Sequence, residues 1–497
     1  MITEAIVTLL LFWITWHFLK TYLERRTMPP GPWPYPLIGN LANLDLQSGK
    51  PFNKLREKYG DIVSATFTIR SVIVSNSSLA REARLGLNIN ITVDILEEII
   101  FPMDCFVSGD DIISGRYGEK YIFRKRVFKS AMHMFGAGID AAEKRGNHAV
   151  RSTMEKIYSL KDQTFSPKDI ISSAIIVQLW QWLTSEELPL DHNVIKLLLE
   201  FTELAANVDY FASMFYKKIP FFKLLPVEFS RRIKRSQAIK SSVITPVFNS
   251  HLKTFHAGVV RDMTDSLIQA YKKEESKTFK KDIGCMQDIK ELMIDAIVAG
   301  SDTTSSTLSW LILYMVLYPE VQDKIHDELD QVLGKDKQPS WQDVTLFPYL
   351  QATICEVLRR ATPVPIIGRN TTKDTVIGGY HIPKGTLVLL DFFQIHTNER
   401  EWPEPNRFKP ERFLSDDGKF VGWTKHSAFM PFGLGRRECA GIAFAKIMLF
   451  TFAATLLHRL KFELPEGAEK PSEEPQTSAI VASPANFKVV AKQRLIK

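Results

Sequence analysis

The sequence predicts a mainly α-helical protein with a minor β region. Apolar residues recur at helical spacing from Ile289 to Leu317 and again from Val321 to Leu333, which predicts two long helices. Strand-like runs are short and late in the chain, namely TVIGGY, TLVLLDFF and FKVVA, and each lies beside Gly, Pro or Lys-Gly turn signals. The composition shows no break after Asn40, so we expect one large domain over residues 41–497.

The N-terminus differs in kind from the rest of the chain. From Ala5 to Leu19 nearly every residue is apolar, and with its flanks the segment is close to the length that crosses a bilayer. Lys20, Arg25 and Arg26 follow it, so the positive-inside rule places the body of the protein in the cytoplasm. We therefore predict a transmembrane anchor over residues 1–27. A cleaved signal peptide is the alternative, but the segment lacks the basic n-region of such peptides.

A proline-rich segment follows the apolar one. Five prolines between Pro29 and Pro36 exclude a helix and predict a stiff, extended hinge over residues 28–40. The net charge of +7 is spread along the chain without the long basic blocks of a nucleic-acid binder, and it suits acidic partners or lipid headgroups. The four cysteines have neither zinc-site nor disulfide-framework spacing, which fits a reducing compartment.

One cysteine lies in the stretch FGLGRRECAG, directly before the long apolar run IAFAKIMLFTFAATLL. A cysteine just ahead of a helix faces unpaired N–H groups and the positive end of the helix dipole, so its thiolate form is favoured. The glycines around it permit left-handed backbone angles or the close approach of something bulky. Cys439 is therefore a candidate ligand or nucleophile, with a buried structural thiol as the alternative. Phosphate binding of the GxGxxG kind is excluded because Glu438 stands where the third glycine belongs.

Two further patterns are weak when each is taken alone. AGSDTT, from Ala299 to Thr304, puts a carboxylate and hydroxyls in the middle of the longest helix, where Ser and Thr can bond back to the helix backbone and open it. A helix kink with its polar residues on the wet side is the alternative. ICEVLRR places Glu356 and Arg359 on one helix face and PERF adds Arg412, and such charges are ordinarily solvated ion pairs.

Taken in order, AGSDTT, the ExxR of ICEVLRR, PERF and FGLGRRECAG are similar to the motifs of the cytochrome P-450 family of haem-thiolate monooxygenases. The family pattern FxxGxRxCxG is matched at every fixed position, which are Phe432, Gly435, Arg437, Cys439 and Gly441. The resemblance extends from the anchor to the last strand. The anchor, the proline-rich hinge and PERF resemble those of the membrane-bound animal microsomal group. It implies the cytochrome P-450 fold, with a single large haem domain behind an N-terminal anchor.

The resemblance also implies a haem b cofactor and roles for the residues of the cysteine loop. Cys439 would bind the haem iron as an axial thiolate. Gly435 and Gly441 would let the loop and the following helix lie against the porphyrin, and Phe432 would shield the sulfur. Arg437 would neutralise a haem propionate.

Four other positions are implied to contact the cofactor. Arg369 falls where the family has a basic propionate contact, and Ala299 lies on the long helix beside the haem. The family's WxxxR is replaced here by Tyr121 and Lys125. These two side chains keep a hydrogen-bond donor and a positive charge, but they lose the bidentate geometry of arginine.

Catalysis is implied to depend on proton delivery by the AGSDTT motif. The hydroxyl of Thr303 would hold the reacting oxygen and a water by hydrogen bonds, and the carboxylate of Asp302 would pass protons inward from solvent. Glu356, Arg359 and Arg412 match the family's structural charge cluster, so we expect them to hold the fold rather than to act in catalysis.

The substrate is predicted to be a lipophilic small molecule, steroid-, fatty-acid- or xenobiotic-like, because all candidate contacts are apolar. Ordinary core packing is the alternative for each of them. The candidates are Phe101, Phe106, Ile294, Val298, Val364, Ile366, Ile367, Ile480 and Val481.

The resulting functional prediction is a monooxygenase of the endoplasmic reticulum membrane, single-pass, with a cytoplasmic catalytic domain. It would take electrons from an NADPH-dependent flavoprotein reductase, with cytochrome b5 as a second candidate partner, and insert one oxygen atom from O2 into its substrate. An isomerase or dehydratase that acts on peroxides without a reductase is one alternative, and a non-catalytic membrane haem or lipid binder is another. The intact AGSDTT motif disfavours both, since neither needs a proton relay.

Two segments are predicted to contact the partners of such an enzyme. Tyr210 to Phe229 combines aromatic residues with lysines, which suits a loop that dips into the membrane, and a helix connection with a packed apolar face is the alternative. Arg124, Lys125, Arg126 and Lys129 form a basic cluster that suits reductase docking, and a solvated helix face is the alternative.

Overall fold

The computed structural model describes residues 2–36, 38–45, 50–67, 69–85, 111–136, 139–206, 227–277, 283–335, 337–477 and 480–495. A π-helical turn, Lys240–Ile244, joins two of the helices into one continuous rod. In chain order the α-helices are α1 (Ile2–Arg25), α2 (Asn53–Tyr59), α3 (Ser77–Leu85), α4 (Glu119–Gly136), α5 (Ile139–Ser159), α6 (Pro167–Thr184), α7 (Asn193–Ala206), α8 (Glu228–Ile239), α9 (Thr245–Thr254), α10 (Met263–Ser276), α11 (Asp288–Leu317), α12 (Pro319–Leu333), α13 (Pro348–Ala361), α14 (Phe392–His396) and α15 (Ile442–Arg459).

Within the described ranges the strands are short and form one four-stranded sheet and three two-stranded ones. In the larger sheet the order is β1-β2-β6-β3, where β2 and β6 are parallel and the outer pairs are antiparallel. The small sheets pair β4 with β5, β7 with β10 and β8 with β9, all antiparallel. The strands are β1 (Ile62–Thr66), β2 (Arg70–Val74), β3 (Ile366–Asn370), β4 (Thr375–Ile377), β5 (Tyr380–Ile382), β6 (Leu387–Asp391), β7 (Leu460–Glu463), β8 (Pro475–Thr477), β9 (Ala482–Pro484) and β10 (Val490–Gln493).

The chain divides into two compact units, of which the smaller comprises Met1–Ile99, Pro365–Pro405 and His426–Glu438. Its centre is the four-stranded sheet. The inner face of β1 and β2 packs against α2, where Phe52, Leu55, Val63, Ala65 and Ile73 form a buried cluster. Because β-branched and aromatic side chains suit a pleated, half-buried surface, these short segments form strands despite their brevity.

The larger unit comprises Ile100–Val364, Asn406–Lys425 and Cys439–Lys497, and it is built from packed helices around α11. Apolar residues lie on nearly all sides of α11, which is the pattern of a helix surrounded by other helices. At Gly300 an added Cβ would lie only 3.2 Å from the side chain of Leu179 on α6. The glycine therefore permits the close approach of α11 and α6, and α11 remains a continuous helix through AGSDTT.

The charges of ICEVLRR and PERF form a buried cluster within the larger unit. The guanidinium of Arg359 donates from Nε to Glu356 Oε2 at 2.7 Å and from Nη2 to Oε1 at 2.8 Å. Arg412 Nε and the backbone N–H of Lys409 also donate to Oε1 of Glu356, at 3.4 and 2.9 Å. Glu356 and Arg359 are fully buried, so removing one partner would strand a buried charge. This geometry supports the fold-holding role expected of the three residues.

The two long helices of the sequence prediction are confirmed, as α11 and α12. The placement of strands only late in the chain was wrong, because β1 and β2 lie near the N-terminus. Their β-branched runs, IVSAT and RSVIV, are the signal that was missed. TVIGGY forms two strands rather than one, since Gly378 and Gly379 adopt positive φ and turn the chain back on itself.

The N-terminal segment is a helix, α1, and the proline-rich residues 29–34 have no regular structure, as predicted. Most of the described large apolar side chains of α1 are exposed, including Leu9, Phe12 and Trp16. Among the described helices, Ile442–Arg459 alone meets a length and hydropathy criterion for a membrane span, and 67% of it is buried inside the protein. That helix, α15, is therefore part of the core.

Candidate functional site

Cys439 lies on an exposed turn immediately before α15. The helix begins at Ile442 with Gly441 as its N-cap, and the thiol of Cys439 is exposed. The backbone N–H of Gly441 donates to the sulfur at 3.3 Å. A donor to the sulfur and the positive end of a helix both favour the thiolate, as the sequence predicted.

The glycines ahead of Cys439 have a structural reason to be glycine. Gly433 and Gly435 adopt φ of 70° and 75°, which side chains with a Cβ rarely adopt. At Gly435 a Cβ would also lie 2.9 Å from the carbonyl oxygen of Arg84, at the end of α3. The loop that contains Phe432, which is half-buried, therefore packs closely on α3 within the smaller unit.

Three arginines converge within the smaller unit. Arg369 on β3 and Arg437 in the cysteine loop both lie close enough to Arg84 to act on its charge. Burial, followed by the charges of Arg369 and Arg437, lowers the pKa of Arg84 to about 9, so Arg84 remains cationic at neutral pH. The Nη1 atom of Arg84 is buried and has no hydrogen-bond partner among the described residues. Such a cluster fits an anion with more than one carboxylate.

The sequence analysis selected Arg369 and Arg437 as propionate contacts, which stays a prediction, and it did not select Arg84. Arg84 lies in the segment REARL, where no motif or spacing marks it, and only the folded structure brings it close to Arg369 and Arg437.

β3 separates two predicted substrate contacts, because successive side chains of a strand point to opposite faces. Ile366 packs against the buried cluster of the smaller unit. Ile367 therefore lies on the same strand face as Arg369.

Tyr121 and Lys125, the substitutes for WxxxR, lie one turn apart on α4. The ammonium of Lys125 is 5.9 Å from the ring centroid of Tyr121, which is a cation–π contact, and the ring is buried. Lys125 thus stays beside Tyr121, and the pair presents one charge and one hydroxyl. Their contact with a propionate stays a prediction.

The prediction of a basic docking cluster on α4 is wrong for one of its four residues, Arg124. Arg124 is buried and forms an ion pair with Asp288 at the start of α11, with Nε 3.1 Å from Oδ2. It holds α4 to α11 and is not available to a docking partner. Arg126 is exposed and lies 4.0 Å from Glu274 on α10.

An accessible stripe runs along α11 even though most of the helix is buried. Ala299 is exposed, and Ala296, Gly300 and Thr303 are half-buried, whereas the other positions from Ile294 to Thr304 are fully buried apart from the half-buried Asp302. At 100° per residue these four positions share one face. This accessible face therefore lies in the middle of a helix that is otherwise packed in the core.

The predicted substrate contacts on α11 do not lie on that stripe. Ile294 is 1% exposed and Val298 5% exposed, and both point away from the face of Ala299. Their burial fits the alternative of core packing better. Ala296, which the sequence analysis did not select, occupies the accessible face one turn before Ala299.

The side chains of Thr303 and Asp302 point in different directions from α11. The hydroxyl of Thr303 donates to the carbonyl oxygen of Ala299 at 2.7 Å, which is the predicted back-bond. Its lone pairs remain available as acceptors on the accessible face. Burial raises the pKa of the Asp302 carboxyl to about 6, while the charge of Lys168 on α6 and a hydrogen bond to the side chain of Thr202 on α7 oppose the rise.

Two other predicted substrate contacts meet near the end of the chain. Ile480 and Val481 belong to the tip of the β8–β9 hairpin, and the backbone N–H of Ala482 donates to the carbonyl oxygen of Pro363 at 2.9 Å. That bond ties the hairpin to the residue before Val364. Phe101 and Phe106 lie outside the described residues, as does most of the segment from Tyr210 to Phe229.

A second group of potential ligands lies elsewhere in the larger unit. Ligand atoms of His251, Asp262 and Asp265 are within 4.8 Å of one another. However, both ring nitrogens of His251 contact acceptors, namely the carboxylate of Asp262 at 2.8 Å and the carbonyl of Val247 at 2.9 Å. The ring must therefore be protonated at both nitrogens, and it has no lone pair for a metal. These residues form an internal ion pair at the start of α10.

Comparison with known proteins agrees with these features. The family model described as cytochrome P450 matches residues 29–491. The chain belongs to the cytochrome P450 family. Steroid 17-alpha-hydroxylase/17,20 lyase of Ictalurus punctatus is 31% identical over 491 residues, which is 95% of this chain and 92% of the relative. Cytochrome P450 2J2 of Homo sapiens is 30% identical over 92% of this chain and 91% of the relative.

The fold comparison gives the same result. A solved zebrafish cytochrome P450 with progesterone matches this chain with a TM-score of 0.77 at 25% identity, covering 89% of this chain and 98% of that one. The predicted P450 fold is therefore confirmed. As a P450, the protein is an oxidoreductase of the monooxygenase class, and its cofactor is haem with a thiolate ligand. The exposed thiol of Cys439 and the arginine cluster are of the kinds that this cofactor needs, a sulfur for iron and cations for carboxylates.

Replacing Arg84 with methionine tests whether the arginine cluster of this P450 holds the haem. The substitution removes one guanidinium and keeps an unbranched stem, so we expect faster haem loss by about tenfold, as for one lost charge-assisted hydrogen bond. The measurement is haem transfer from the holoenzyme to an excess of a haem-scavenging protein. The matched control is Arg81→Met, on the same helix, because Arg81 donates to the carbonyl oxygen of Ser427 near the surface. Equal loss from both variants would remove Arg84 from the haem site.

Proposed function

We propose that this P450 inserts one atom of O2 into a lipophilic small molecule with electrons from an NADPH-dependent flavoprotein reductase. The observation that carries the proposal is the accessible face of α11, where the hydroxyl of Thr303 lies among small residues and is directly preceded on the helix by Asp302, whose pKa is raised to about 6. A haem protein that only binds its ligand would not need a proton path. The small residues Ala296 and Ala299 leave room for an apolar substrate.

The residues of this chain then divide into groups with separate tasks. Cys439 holds the haem iron, and Gly435 and Gly441 let the surrounding backbone approach the cofactor. Arg84, Arg369 and Arg437 bind its propionates with Tyr121 and Lys125, while Phe432 shields the sulfur. When bound, the haem supplies O2 activation that is promoted by electron donation from the thiolate. Thr303 orients a water by hydrogen bonding, and Asp302 exchanges protons with solvent.

Steroids are the first substrate class to test. The chain is similar along nearly its whole length to a steroid 17-alpha-hydroxylase/17,20 lyase, and its fold is similar to that of a P450 solved with progesterone. Fatty-acid-like and xenobiotic-like molecules share the apolar character that the α11 stripe requires. Val364, Ile367, Ile480 and Val481 are the described residues that we assign to substrate contact.

The reductase is proposed to dock on the exposed face of α4. Lys125 and Lys129 lie on α4 together with Arg126, whose side chain is 56% exposed. Electrostatic steering by such charges raises encounter rates and weakens with salt. Reversing Arg126 and Lys129 to glutamate would slow reductase-driven turnover more than peroxide-driven turnover, and equal slowing would exclude docking at this face. Cytochrome b5 is a second candidate partner for the same charges.

Membrane attachment in the endoplasmic reticulum is proposed to depend on α1. Its exposed leucines and aromatic residues would lie in lipid, and Lys20, Arg25 and Arg26 at its end would stay in the cytoplasm. Flotation with phosphatidylcholine vesicles tests this role, because a protein that lacks residues 1–27 and floats as well as the full chain would exclude it. Residual flotation of the shortened protein would support a second contact, for which the segment from Tyr210 to Phe229 is the candidate.

The decisive experiment follows the fate of isotopically labelled O2. The holoenzyme is incubated with a flavoprotein reductase, NADPH and a lipophilic compound that displaces the sixth iron ligand, and the product is analysed by mass spectrometry. We expect one labelled oxygen atom in the product and NADPH consumption that depends on the reductase. Rearrangement or dehydration of an organic hydroperoxide without NADPH, with no labelled oxygen in any product, would instead identify an isomerase or dehydratase. Ligand binding without turnover of either kind would identify a non-catalytic binder.

A further inference from the structure

One backbone carbonyl near the predicted substrate contacts receives two side-chain hydrogen bonds from α11. Ser306 Oγ donates to the carbonyl oxygen of Ala482 at 2.8 Å, and Trp310 Nε1 donates to the same atom at 3.1 Å. Ser306 is 3% exposed and Trp310 is 1% exposed. The two donors lie four residues apart on one face of the helix, so they converge on a single point outside it. Both oxygen lone pairs of the carbonyl are thereby used.

The other backbone group of the same residue is also bound. The N–H of Ala482 donates to the carbonyl oxygen of Pro363 rather than to its partner strand β8. Ala482 therefore connects the hairpin to two separate elements, which are α11 and the segment that follows α13. A peptide with three hydrogen bonds of this kind has little freedom to shift.

The position of Ala482 in the hairpin makes this attachment consequential. Ala482 pairs with Thr477, and the described residues at the tip of the β8–β9 hairpin are Ile480 and Val481. Ile480 and Val481 directly precede Ala482 in that tip, and Val364 directly follows Pro363. Ile480 and Val481 are thus within two residues of the anchored Ala482. Val364 is next to Pro363, whose carbonyl oxygen accepts the hydrogen bond from Ala482. Thr303 lies one turn before Ser306 on the same helix, so the helix that carries the proton relay also fixes the hairpin.

We propose that Ser306 and Trp310 are positioning residues that set the location of the hairpin tip, and with it the shape of the substrate-binding space. They do not touch the substrate. They act through Ala482 on Ile480 and Val481, and through the bond from Ala482 to Pro363 on Val364. The inference rests on the proposed function in one respect, namely that these three residues line the space next to the haem.

The two donors share one acceptor, and this predicts how their removal combines. After the loss of one donor, the carbonyl oxygen of Ala482 still has the other. After the loss of both, a buried carbonyl has no partner, which is the costly case. We therefore expect a small effect of Ser306→Ala or Trp310→Phe alone and a much larger effect of the double variant. Phenylalanine keeps an aromatic ring in the packing and lacks only the N–H donor.

The test measures the binding of two imidazoles to the holoenzyme by the shift of its Soret band. Imidazole itself occupies the sixth coordination position of the haem and has no tail. Clotrimazole binds the iron in the same way and carries a bulky apolar tail that must fit the substrate space. We expect the double variant to weaken clotrimazole binding by about tenfold, as for one buried carbonyl left unpaired, and to leave imidazole binding within about twofold.

The matched control is Ser309→Ala. Ser309 is equally buried on α11, but its hydroxyl donates within the helix to the carbonyl oxygen of Ser305 at 2.8 Å. This variant should bind both imidazoles as the unchanged protein does. Ser306→Thr in the Trp310→Phe background keeps a hydroxyl and should restore clotrimazole binding.

The outcomes separate positioning from general damage. Weaker binding of clotrimazole alone supports the proposal. Equal weakening of clotrimazole and imidazole binding overturns it, and so does unchanged binding of both. If the double variant yields no holoenzyme, Ser306→Ala and Trp310→Phe are each compared with Ser309→Ala. A weakening of up to about twofold that is confined to clotrimazole then supports the proposal, and no change or an equal change for both ligands overturns it. The assay needs no turnover, so an absence of monooxygenase activity would contradict the proposed function and still leave this ratio readable.

Discussion

Replacement of Cys439 with serine is expected to reduce NADPH-dependent substrate oxidation to background. A serine hydroxyl is not ionised at neutral pH and is a poor ligand for haem iron, so the electron donation that promotes O2 activation is lost. The reduced, carbon monoxide-bound holoenzyme should lose the strongly red-shifted Soret band of thiolate ligation. Both measurements can be made on the same preparation.

Cys285→Ser is the matched control for this experiment. Cys285 is another exposed cysteine of the larger unit, and its sulfur contacts Asp288 at 3.4 Å. Its replacement should leave the carbon monoxide spectrum unchanged. A well-folded Cys439→Ser protein that keeps the red-shifted band would show that another residue binds the iron.

Cys439 could be found from sequence because the requirements at this site are local. The helix start, the glycines and the cysteine are neighbours in the chain, so their spacing is visible without a fold. The same holds for Thr303, whose back-bond to Ala299 lies within one turn of a helix with a clear apolar period. The long helices α11 and α12 were predicted for the same reason.

Features that depend on contacts between distant segments were not visible in the sequence. Arg84 joins Arg369 and Arg437 only after the sheet and α3 have formed. Arg124 resembles a surface charge in the basic run of α4, but its partner Asp288 is 164 residues away, and the pair is buried. Charge patterns in a sequence do not distinguish a docking surface from a buried ion pair.

The choice of accessible residues on α11 failed for a related reason. Ile294 and Val298 are more apolar than Ala296, and the sequence analysis selected them as substrate contacts because of their apolarity. The structure buries both and leaves the small residues accessible. Large apolar side chains fill the core, and the space for a ligand is left where side chains are small. Which face of a helix has that role depends on its neighbours.

Replacement of Thr303 with alanine is expected to uncouple electron use from product formation. The hydroxyl that we propose to orient a water on the accessible face of α11 is lost, whereas the helix keeps its backbone bonds. Product formed per NADPH consumed should fall by roughly tenfold or more. The reason is that the water is no longer held as a positioned proton donor, and such a donor contributes on the order of a hundredfold or more to proton-transfer steps. Hydrogen peroxide should account for the difference. Haem content and substrate binding should be unchanged.

Thr307→Ala is the matched control for Thr303→Ala. Thr307 lies one turn further along α11, and its hydroxyl makes the same kind of back-bond, to the carbonyl oxygen of Thr303 at 2.7 Å. Unlike Thr303, it is buried, so it cannot orient a water on the accessible face. Its replacement should leave product per NADPH near the level of the unchanged protein. Equal uncoupling in both variants would attribute the effect to the helix rather than to the hydroxyl.

Asp302→Asn is expected to slow turnover and to change its pH dependence. The pKa of Asp302 is raised to about 6, chiefly by burial, so its protonated fraction grows as the pH falls from 8 towards 6. If this carboxyl carries protons inward from solvent, product formation by the unchanged protein should rise over that range in step with the protonated fraction. Asparagine does not titrate, so the variant should turn over roughly tenfold or more slowly and with no such slope. The measurement is product formation between pH 6 and pH 8 at saturating reductase, with substrate binding followed at each pH. A variant that keeps the slope would show that the titrating group is another residue, and the proton path would then not run through Asp302.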